Sequence, residues 1–376
     1  MIPFNKPFLA GNELRYIREA VASGRISGNG EFTRRCHTLF EEQFGFLKVL
    51  LTNSCTDALE MAAILCDIKP GDEVIVPSYT FVSAANAFAM QGATIVFADA
   101  RSDQPNMDVS LLPDLINHKT KAIVVAHYGG ISTDMLPVLA VAAEQGLMIV
   151  EDAAACIGAR YGGLPLGSIG HFGAFSFHET KNINSGEGGM LVINDERFIR
   201  RAEIIWEKGT NRVAFQRGEV GHYEWLDKGS SFLPSELTAA FLLAQAEQLE
   251  IIQEQRGKLW DLYYELLYPS AEKGWFSLPN IPDYARHNHH VFPIICSSMT
   301  ERTSLIEYLE KKGIMAVPHY RALQRSPYAL ASYKQGVTAK QAIRYEECLL
   351  RLPLFHELTG ENVKVISEAV NSFYHQ

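Results

Sequence analysis

The stretch that decides the fold reads KAIVVAHYGGISTDMLPVLAVAAEQGLMIVEDAAA and covers residues 121–155. Apolar runs over Lys121–Gly130 and Leu147–Ala155 flank a helical stretch over Asp134–Gly146. Strands that are apolar on both faces are typical of a parallel sheet with helices on both sides. Gly146 is a suitable end for the helix because glycine accepts a left-handed conformation. The stretch therefore predicts a β-α-β unit.

Two earlier runs of the same kind extend this pattern, over Asp72–Thr80 and Ala93–Ala100. Repeated β-α-β units predict an open, doubly wound, mostly parallel sheet of the α/β class. In such sheets ligands bind beyond the carboxyl ends of the strands. The polar residues that directly follow these strands are therefore the candidates for a functional site.

The last third of the chain predicts a smaller unit. A helical pattern from about residue 235 to 267 links the sheet to it. We expect a large cofactor-binding domain over residues 1–240, followed by the linking helix and a small α/β domain over residues 241–376.

Within this smaller unit, an apolar run over His290–Cys296 predicts a strand. A helix is predicted over Thr300–Gly313. Thr300 and Thr303 are suitable N-terminal caps for it, and Gly313 is a suitable stop.

The composition is ordinary for a soluble globular chain of 376 residues, with 47% hydrophobic and 20% charged residues. A net charge of -9 argues against general affinity for nucleic acid or for an anionic membrane. No CxxC pattern joins the cysteines, so we expect reduced thiols and no zinc site. The start lacks the apolar run of a signal peptide, and no stretch is long enough to span a membrane. A cytoplasmic location is expected.

Lys181 lies in GAFSFHETKNINSGEGG, residues 173–189, between a serine-aromatic run and a glycine-rich turn. A loop lysine is usually a solvated surface residue. Asp152, which ends the predicted strand LMIVED, could likewise be a solvated acid. Glu151 precedes it, and alternation along a strand points these two carboxylates to opposite faces.

Three further features complete a possible site around Lys181 and Asp152. TNSCTDALEMAAIL, residues 52–65, is a small-polar turn that opens a helix, which suits a phosphate or simple capping. Ser176 could donate a hydroxyl to that phosphate or be satisfied within a strand. Phe81 could stack on a ring or pack in the core. Together these parts predict a pyridoxal phosphate site, with a Schiff-base lysine, an acid for the pyridine nitrogen, a phosphate cradle and a stacking ring.

The chain resembles the DegT/DnrJ/EryC1/StrS sugar aminotransferase family over nearly its whole length. The likeness rests on the order and spacing of GDEVIVPSYTFVSAANA, VEDAAA, GAFSFHETKN, GEGG and RLPLF. The segments IPFNKP, FSFHETKN, EKGTNR and DKGSSFLPSEL are most similar to the dTDP-4-amino-4,6-dideoxygalactose transaminases of that family. The resemblance implies the aspartate-aminotransferase fold (fold type I) with pyridoxal 5'-phosphate as cofactor.

The resemblance also implies individual roles. Lys181 matches the Schiff-base lysine, where the sugar dehydratases of the family carry histidine. Ser231 aligns with a residue that reaches the phosphate of the neighbouring subunit, which implies a homodimer with shared active sites. Asp152 matches the acid that contacts the pyridine nitrogen, and Phe81 matches the stacking aromatic. Cys55 and Thr56 match the phosphate-binding turn, and Ser176 matches the residue whose hydroxyl binds the phosphate.

Three positions depart from the pattern of many relatives. Ala155 stands where a glutamine meets the 3-hydroxyl side of the cofactor. Ser231 replaces an asparagine, as in the dideoxygalactose branch. In HYRALQ, His319 is retained as a candidate substrate-binding residue, whereas Gln324 replaces a second histidine, and that change could affect substrate recognition.

As activity, the resemblance implies transfer of an amino group from L-glutamate to C4 of dTDP-4-keto-6-deoxyglucose. The product would be dTDP-4-amino-4,6-dideoxygalactose for a surface glycan such as enterobacterial common antigen or lipopolysaccharide. An enzyme that forms the 4-amino-4,6-dideoxyglucose epimer is the nearer alternative. A non-catalytic regulator that binds pyridoxal phosphate is the distant one, and no helix-turn-helix is visible to support it.

Two basic segments remain open. Lys208 and Arg212 are candidates to bind the pyrophosphate of the nucleotide sugar, or they form an exposed basic loop. RHNHH, residues 286–290, is interpreted as a solvated or interdomain segment and not as a metal cluster, because adjacent side chains in an extended segment alternate in direction.

Overall fold

The computed structural model describes residues 1–333 and 339–375. Its helices are α1 Glu13–Ala22, α2 Glu31–Phe44, α3 Cys55–Leu65, α4 Ser83–Ala89, α5 Leu112–Leu115, α6 Met135–Gln145, α7 Glu196–Trp206, α8 Arg212–Gln216, α9 Glu236–Ala246, α10 Leu249–Glu272, α11 Met299–Lys311, α12 Pro327–Ser332, α13 Lys340–Cys348 and α14 Gly360–Tyr374. Its strands are β1 Lys48–Thr52, β2 Glu73–Pro77, β3 Thr94–Ala98, β4 Thr120–Ala126, β5 Met148–Asp152, β6 Arg160–Tyr161, β7 Leu164–Pro165, β8 Phe172–Ser176, β9 Gly189–Ile193, β10 Ala285–Arg286, β11 Phe292–Ile295, β12 Val317–Pro318 and β13 Leu349–Leu352.

A seven-stranded sheet lies at the centre of the larger part, in the order β1-β9-β8-β5-β4-β2-β3. Neighbouring strands pair in parallel except at β9, which is antiparallel to both β1 and β8. The side chains of α1, α2, α6 and α9 share a buried apolar cluster with one face of this sheet. Those of α3, α4 and α7 cluster on the other. The predicted doubly wound, mostly parallel α/β sheet is confirmed.

A smaller antiparallel sheet, in the order β11-β13-β12, lies in the C-terminal part. It packs against α10, α11 and α14 around a third apolar cluster. The proposed division at residue 240 stays a prediction, and residue 240 lies inside α9.

Two glycines end helices as predicted. Gly146 follows α6 with a φ of 65°, and Gly313 follows α11 with a φ of 75°. Both angles lie in the left-handed region that glycine adopts without a steric penalty.

The prediction of one helix from residue 235 to 267 was wrong. The segment forms two helices, α9 and α10, with a break at Glu247 and Gln248. The hydroxyl of Tyr16 donates to the Glu247 carboxylate at 2.8 Å, and Arg35 lies 3.6 Å from it. These tertiary contacts hold Glu247 at the break, where neither glycine nor proline marks it in the sequence.

The predicted caps of the helix near residue 300 were also wrong. Ser298 caps α11, since its hydroxyl accepts the N–H of Glu301 at 3.2 Å. Thr303 lies inside the helix, and its hydroxyl donates to the Met299 carbonyl at 2.8 Å. Ser298 precedes Thr300 by two residues and has the extended backbone that a cap requires.

None of the described helices is both long and apolar enough to cross a membrane.

Candidate active site

The carboxyl edge of the central sheet brings the candidate residues together. β5 ends at Asp152, β8 ends at Ser176 and α3 begins at Cys55, directly after β1. Phe81 follows β2 at the same edge. Because these strands run parallel, their carboxyl ends meet on one side of the sheet, where doubly wound folds bind ligands.

The glycine-rich turn after Lys181 allows the start of α3 to approach this edge. Gly189 pairs with Ser176 across β8 and β9. A Cβ atom on Gly189 would lie 2.2 Å from the carbonyl carbon of Ser54 and 2.4 Å from the nitrogen of Cys55. Only glycine fits there, so the GEGG string meets a packing requirement. The close approach sets the Ser176 strand beside the N-terminus of α3.

The N-terminus of α3 has free donors for an anion. Ser54 caps the helix by accepting the N–H of Asp57 at 3.1 Å. Among the described residues, the N–H groups of Cys55 and Thr56 have no hydrogen-bond acceptor. The Thr56 hydroxyl lies 2.7 Å from that of Ser83. Free N–H groups at the positive end of a helix dipole suit a phosphate.

Lys181 and Asp152 share a desolvated environment. Burial lowers the pKa of the Lys181 amine, and nearby Asp152 opposes this effect. Burial raises the pKa of Asp152, while the Ala154 N–H and the Lys181 charge oppose that shift. Burial disfavours both charged forms. A neutral amine is the nucleophilic form, and a carboxylate that is costly to bury alone is ready to hold a cationic ring nitrogen.

Glu151 faces away from this site, as strand alternation predicts. Its carboxylate is fully buried and accepts the N–H groups of Ile169 at 2.7 Å and Gly170 at 2.6 Å. His127 lies 3.0 Å from it through Nε2, and the Thr133 N–H donates to His127 Nδ1. Glu151 therefore holds the loop that contains Ile169 and Gly170, whereas Asp152 points to the opposite face, toward the cleft.

Phe81 is 55% exposed, so the alternative that it packs in the core was wrong. Its ring lies 6.3 Å from that of Tyr320. Tyr320 stacks on His319 at 3.6 Å, and His319 Nδ1 lies 2.9 Å from the Tyr128 hydroxyl. Burial holds the pKa of His319 well below its usual range, so this imidazole is neutral. An exposed ring beside these side chains is available to stack on a cofactor.

Tyr320 is a site residue that the sequence reasoning missed. Its φ of 44° is left-handed, which costs a bulky residue about 1–2 kcal/mol. Burial raises the pKa of its hydroxyl, and the nearby Asp152 carboxylate raises it further, which places Tyr320 at the same cleft. The HYRALQ string contained this residue, but its strained backbone, which is typical of ligand sites, is visible only in the structure.

The RHNHH segment packs against the loop that carries Lys181 and supports it. The Asn182 amide donates to the Asn288 carbonyl at 2.8 Å, and Asn182 Oδ1 lies 2.9 Å from His290 Nδ1. The Asn288 amide donates to the carbonyl of Ala155 at 2.8 Å. Sequence reasoning missed these roles because they join residues more than a hundred positions apart. Among the described residues, no group of three or more potential ligands could hold a metal ion.

The four remaining candidates contact other parts of the chain. Lys208 and Arg212 are about half exposed, at 3.1 Å and 4.0 Å from the buried carboxylate of Glu207. Ser231 is exposed, and its carbonyl accepts the Asn53 amide at 3.1 Å, next to the turn that opens α3. Gln324 is buried. Its amide accepts a hydrogen bond from the Ser78 hydroxyl and donates one to the Ala339 carbonyl, so it joins buried segments of the chain.

The residues present fit pyridoxal phosphate. The uncapped N–H groups of Cys55 and Thr56 and the close Ser176 strand would hold the phosphate. Lys181 would hold the aldehyde carbon and Asp152 the pyridine nitrogen.

Comparison with known proteins places the chain in a family. Residues 7–371 match the DegT/DnrJ/EryC1/StrS aminotransferase family. The spore coat polysaccharide biosynthesis protein SpsC of Bacillus subtilis is 31% identical over 98% of this chain and 96% of its own length. GDP-perosamine synthase of Escherichia coli O157:H7 is 30% identical over 99% of this chain and 98% of its own.

A solved structure is also similar to this chain over its whole length. The Streptococcus pneumoniae protein Spr1654 in its PMP form superposes with a TM-score of 0.90, at 25% identity, over 100% of this chain and 99% of its own. The match to the family covers nearly the whole chain, and the motifs that carry it surround Lys181. This protein belongs to the DegT/DnrJ/EryC1/StrS aminotransferase family, whose members depend on pyridoxal phosphate.

Proposed function

We propose that this protein transfers the amino group of L-glutamate to C4 of dTDP-4-keto-6-deoxyglucose. The product is dTDP-4-amino-4,6-dideoxygalactose, which serves a surface glycan such as enterobacterial common antigen or lipopolysaccharide. The observation that carries this proposal is the desolvated Lys181 amine beside Asp152, at the carboxyl edge of the sheet of a sugar aminotransferase chain.

Each residue has a defined task in this reaction. Bound pyridoxal phosphate supplies an electron sink for the carbon that loses its proton. Lys181 takes a proton from the α-carbon of the amino donor and, in the second half-reaction, delivers one to C4 of the sugar. Asp152 keeps a proton on the pyridine nitrogen. Phe81 supports one face of the ring, and His319 contacts the sugar from the opposite domain.

The nucleotide diphosphate requires positive charge on an acidic protein. Lys208 and Arg212 supply it in this proposal, because both are half exposed and, among the residues that the structure describes, the Glu207 carboxylate is the only one within 4.0 Å of them. The excess of one cation leaves a net positive site for phosphate oxygens.

We further propose a homodimer with shared active sites. Exposed apolar side chains near the Ser231 segment support it, with Trp225 81% and Leu226 52% exposed. Patches of large apolar side chains mark surfaces that another chain covers. Ser231 then reaches the phosphate bound by the second copy.

Two related reactions are alternatives to this proposal, one with a different product and one with a different substrate. The gluco epimer differs only in the face of C4 that receives the proton. A GDP-linked sugar is a second candidate substrate, because GDP-perosamine synthase is 30% identical over nearly the whole chain.

The decisive experiment incubates the purified holoenzyme with L-glutamate and either the dTDP-linked or the GDP-linked 4-keto-6-deoxy sugar. NMR of the product gives the configuration at C4, since the H3–H4 and H4–H5 couplings are small for galacto and large for gluco. Large couplings, or turnover of the GDP-linked sugar alone, contradict the proposal. Borohydride reduction should fix the cofactor to the peptide that carries Lys181. Lys181→Ala should abolish both the label and turnover.

A further inference from the structure

His290 carries a ring nitrogen that has no partner in the described part of the chain. The side chain is 7% exposed, and its Nδ1 lies 2.9 Å from Asn182 Oδ1. Within residues 1–333 and 339–375, Nε2 of the same imidazole makes no hydrogen bond, although it is not sealed from solvent. Buried polar groups are normally paired, so this nitrogen is available to a ligand.

The hydrogen bonds of Asn182 fix which ring nitrogen of His290 carries the proton. The Asn182 amide nitrogen donates to the Asn288 carbonyl at 2.8 Å, so its oxygen is the atom that faces Nδ1. Burial and the nearby charges of Lys181 and Arg256 hold the pKa of His290 well below its usual range, so the imidazole is neutral. A neutral imidazole has one N–H, which Nδ1 donates to the amide oxygen. Nε2 is therefore only a hydrogen-bond acceptor.

The helix α10 holds this acceptor in place. The Arg256 guanidinium donates to the carbonyls of His289 and His290 at 3.1 and 2.5 Å. The indole N–H of Trp260 donates to the Val291 carbonyl at 3.1 Å. These bonds fix the backbone on both sides of the imidazole, so its position is set before a ligand arrives.

The acceptor lies beside the reactive lysine. Asn182, which binds the imidazole, directly follows Lys181 in the chain. Among the charged groups that lower the pKa of His290, Lys181 has the largest effect, and His319 also contributes. No hydrogen bond joins Nε2 to the Lys181 amine among the described residues. Nε2 therefore remains free for a group that is bound next to that amine.

The free acceptor requires a ligand with a hydroxyl or an N–H group. The amine of the amino donor becomes bonded to the cofactor. The ring hydroxyl of the pyridoxamine form has the neighbouring amine as an intramolecular partner. The keto sugar carries a hydroxyl at C3, one bond from the carbon that receives a proton from Lys181. This hydroxyl stays intact through the reaction and matches an acceptor beside the lysine.

We propose that His290 Nε2 accepts a hydrogen bond from the C3 hydroxyl of the 4-keto sugar and thereby selects acceptor sugars that carry this hydroxyl. The inference rests on the proposed aminotransferase function and adds a feature of its acceptor. It does not depend on the nucleotide, because the dTDP-linked and the GDP-linked 4-keto-6-deoxy sugars both have a hydroxyl at C3.

A binding measurement without turnover tests the contact directly. Lys181→Ala loaded with pyridoxamine phosphate is titrated calorimetrically with the 4-keto sugar and with its 3-deoxy analogue. Loss of the hydroxyl should weaken the Kd about tenfold, because the buried Nε2 is then left without a partner. With His290→Asn added, the two sugars should bind within about twofold of each other. Asparagine keeps a donor for Asn182 but has no atom at the position of Nε2.

His290→Gln is the matched variant. Its amide oxygen reaches the position of Nε2, but it has no donor at the position of Nδ1 to bind Asn182. We expect this variant to prefer the 3-hydroxy sugar by at least about threefold, and to slow both half-reactions equally because the Lys181 loop loses a support. Circular dichroism verifies that both variants fold.

The two half-reactions of His290→Asn complete the test. The kcat/KM for the keto sugar should fall about tenfold. The reaction with L-glutamate alone, followed by absorbance as the pyridoxal form passes to the pyridoxamine form, should change less than about threefold. Equal losses in both half-reactions, or a hydroxyl preference that survives in His290→Asn, would overturn the proposal.

The same design separates this inference from the proposed acceptor. Turnover of the GDP-linked sugar alone contradicts the dTDP-linked acceptor, and the C3 hydroxyl is then removed from the GDP-linked sugar instead. A tenfold preference that His290→Asn abolishes supports the role of His290 with either nucleotide. Equal Kd values of the 3-hydroxy and 3-deoxy sugars for the protein with His290 intact contradict it.

Discussion

At the residue scale, the active site combines two groups whose burial is costly until a ligand arrives. Burial lowers the pKa of Lys181 and raises that of Asp152, so the cleft disfavours both charges. Bound pyridoxal phosphate would supply each group with a further partner. The burial of these two groups therefore lowers the stability of the apoprotein and, at the same time, makes the site reactive.

Asp152→Asn tests whether this carboxylate is needed for turnover and whether its burial lowers the stability of the apoprotein. The variant should lose roughly two to four orders of magnitude in turnover, because no charge then keeps the pyridine nitrogen protonated. The folded pKa of Asp152 is raised above its unfolded value, so its contribution to the free energy of unfolding becomes less favourable as pH rises between the two. At neutral pH the variant apoprotein should therefore resist urea better than wild type.

The difference in urea stability should vanish below the unfolded pKa of an aspartate, about 3.9, where both proteins are neutral at this position. Turnover close to that of wild type would mean that Asp152 is only an acid at a strand end.

At the element scale, the phosphate cradle depends on how closely β9 approaches α3. Gly189→Ala would place a methyl group against the Ser54 and Cys55 backbone and push the helix start away. We expect a loss of about 1–3 kcal/mol in stability and weaker cofactor affinity, measured by urea unfolding and by fluorescence titration with pyridoxal phosphate. Gly221→Ala is the control, since a Cβ there meets nothing within 4 Å. Equal affinities of the two variants for pyridoxal phosphate would show that the close approach of Gly189 to α3 does not shape the phosphate site.

The start of α11 distinguishes a sequence expectation from the observed cap. Ser298→Ala should cost about 0.5–2 kcal/mol in the free energy of unfolding, because it frees the N–H of Glu301. Thr300→Ala lies in the first turn and should change stability by less than about 0.5 kcal/mol. Urea titration of both variants measures the difference, and the reverse order would restore the sequence prediction.

At the scale of the whole molecule, shared sites predict complementation. Lys181→Ala and Ser231→Trp should each be inactive as pure dimers. In a mixed dimer one site carries both lesions and the other carries none, so a random mixture should regain about a quarter of wild-type activity. Mass spectrometry verifies subunit exchange. Inactivity of verified mixed dimers would show that Ser231 does not act across the interface, and a monomer in sedimentation would defeat the dimer itself.

The sequence by itself determined the sheet and its functional edge. Continuous apolar runs such as Leu147–Ala155 specify buried parallel strands, because burial on both faces leaves no polar alternation. Strand ends then placed Asp152 and Ser176 at one edge, and the serine-aromatic run and the glycine-rich turn around Lys181 marked that lysine as a candidate before the family resemblance assigned its role. Local signals of this kind depend only on neighbouring residues, which is why Gly146 also ended its helix as predicted.

Only the tertiary structure decided the contacts that join distant segments. The break at Glu247 arises from Tyr16 and Arg35, and the Lys181 loop is held by Asn288, none of which a local pattern reveals. Arg351 was part of a recognised string, but only the fold brings the Phe4 ring and the Pro318 carbonyl against its guanidinium. Periodicity records which face of an element is buried. It carries no information on which distant residue will cover that face, because side-chain packing is settled by the whole chain at once.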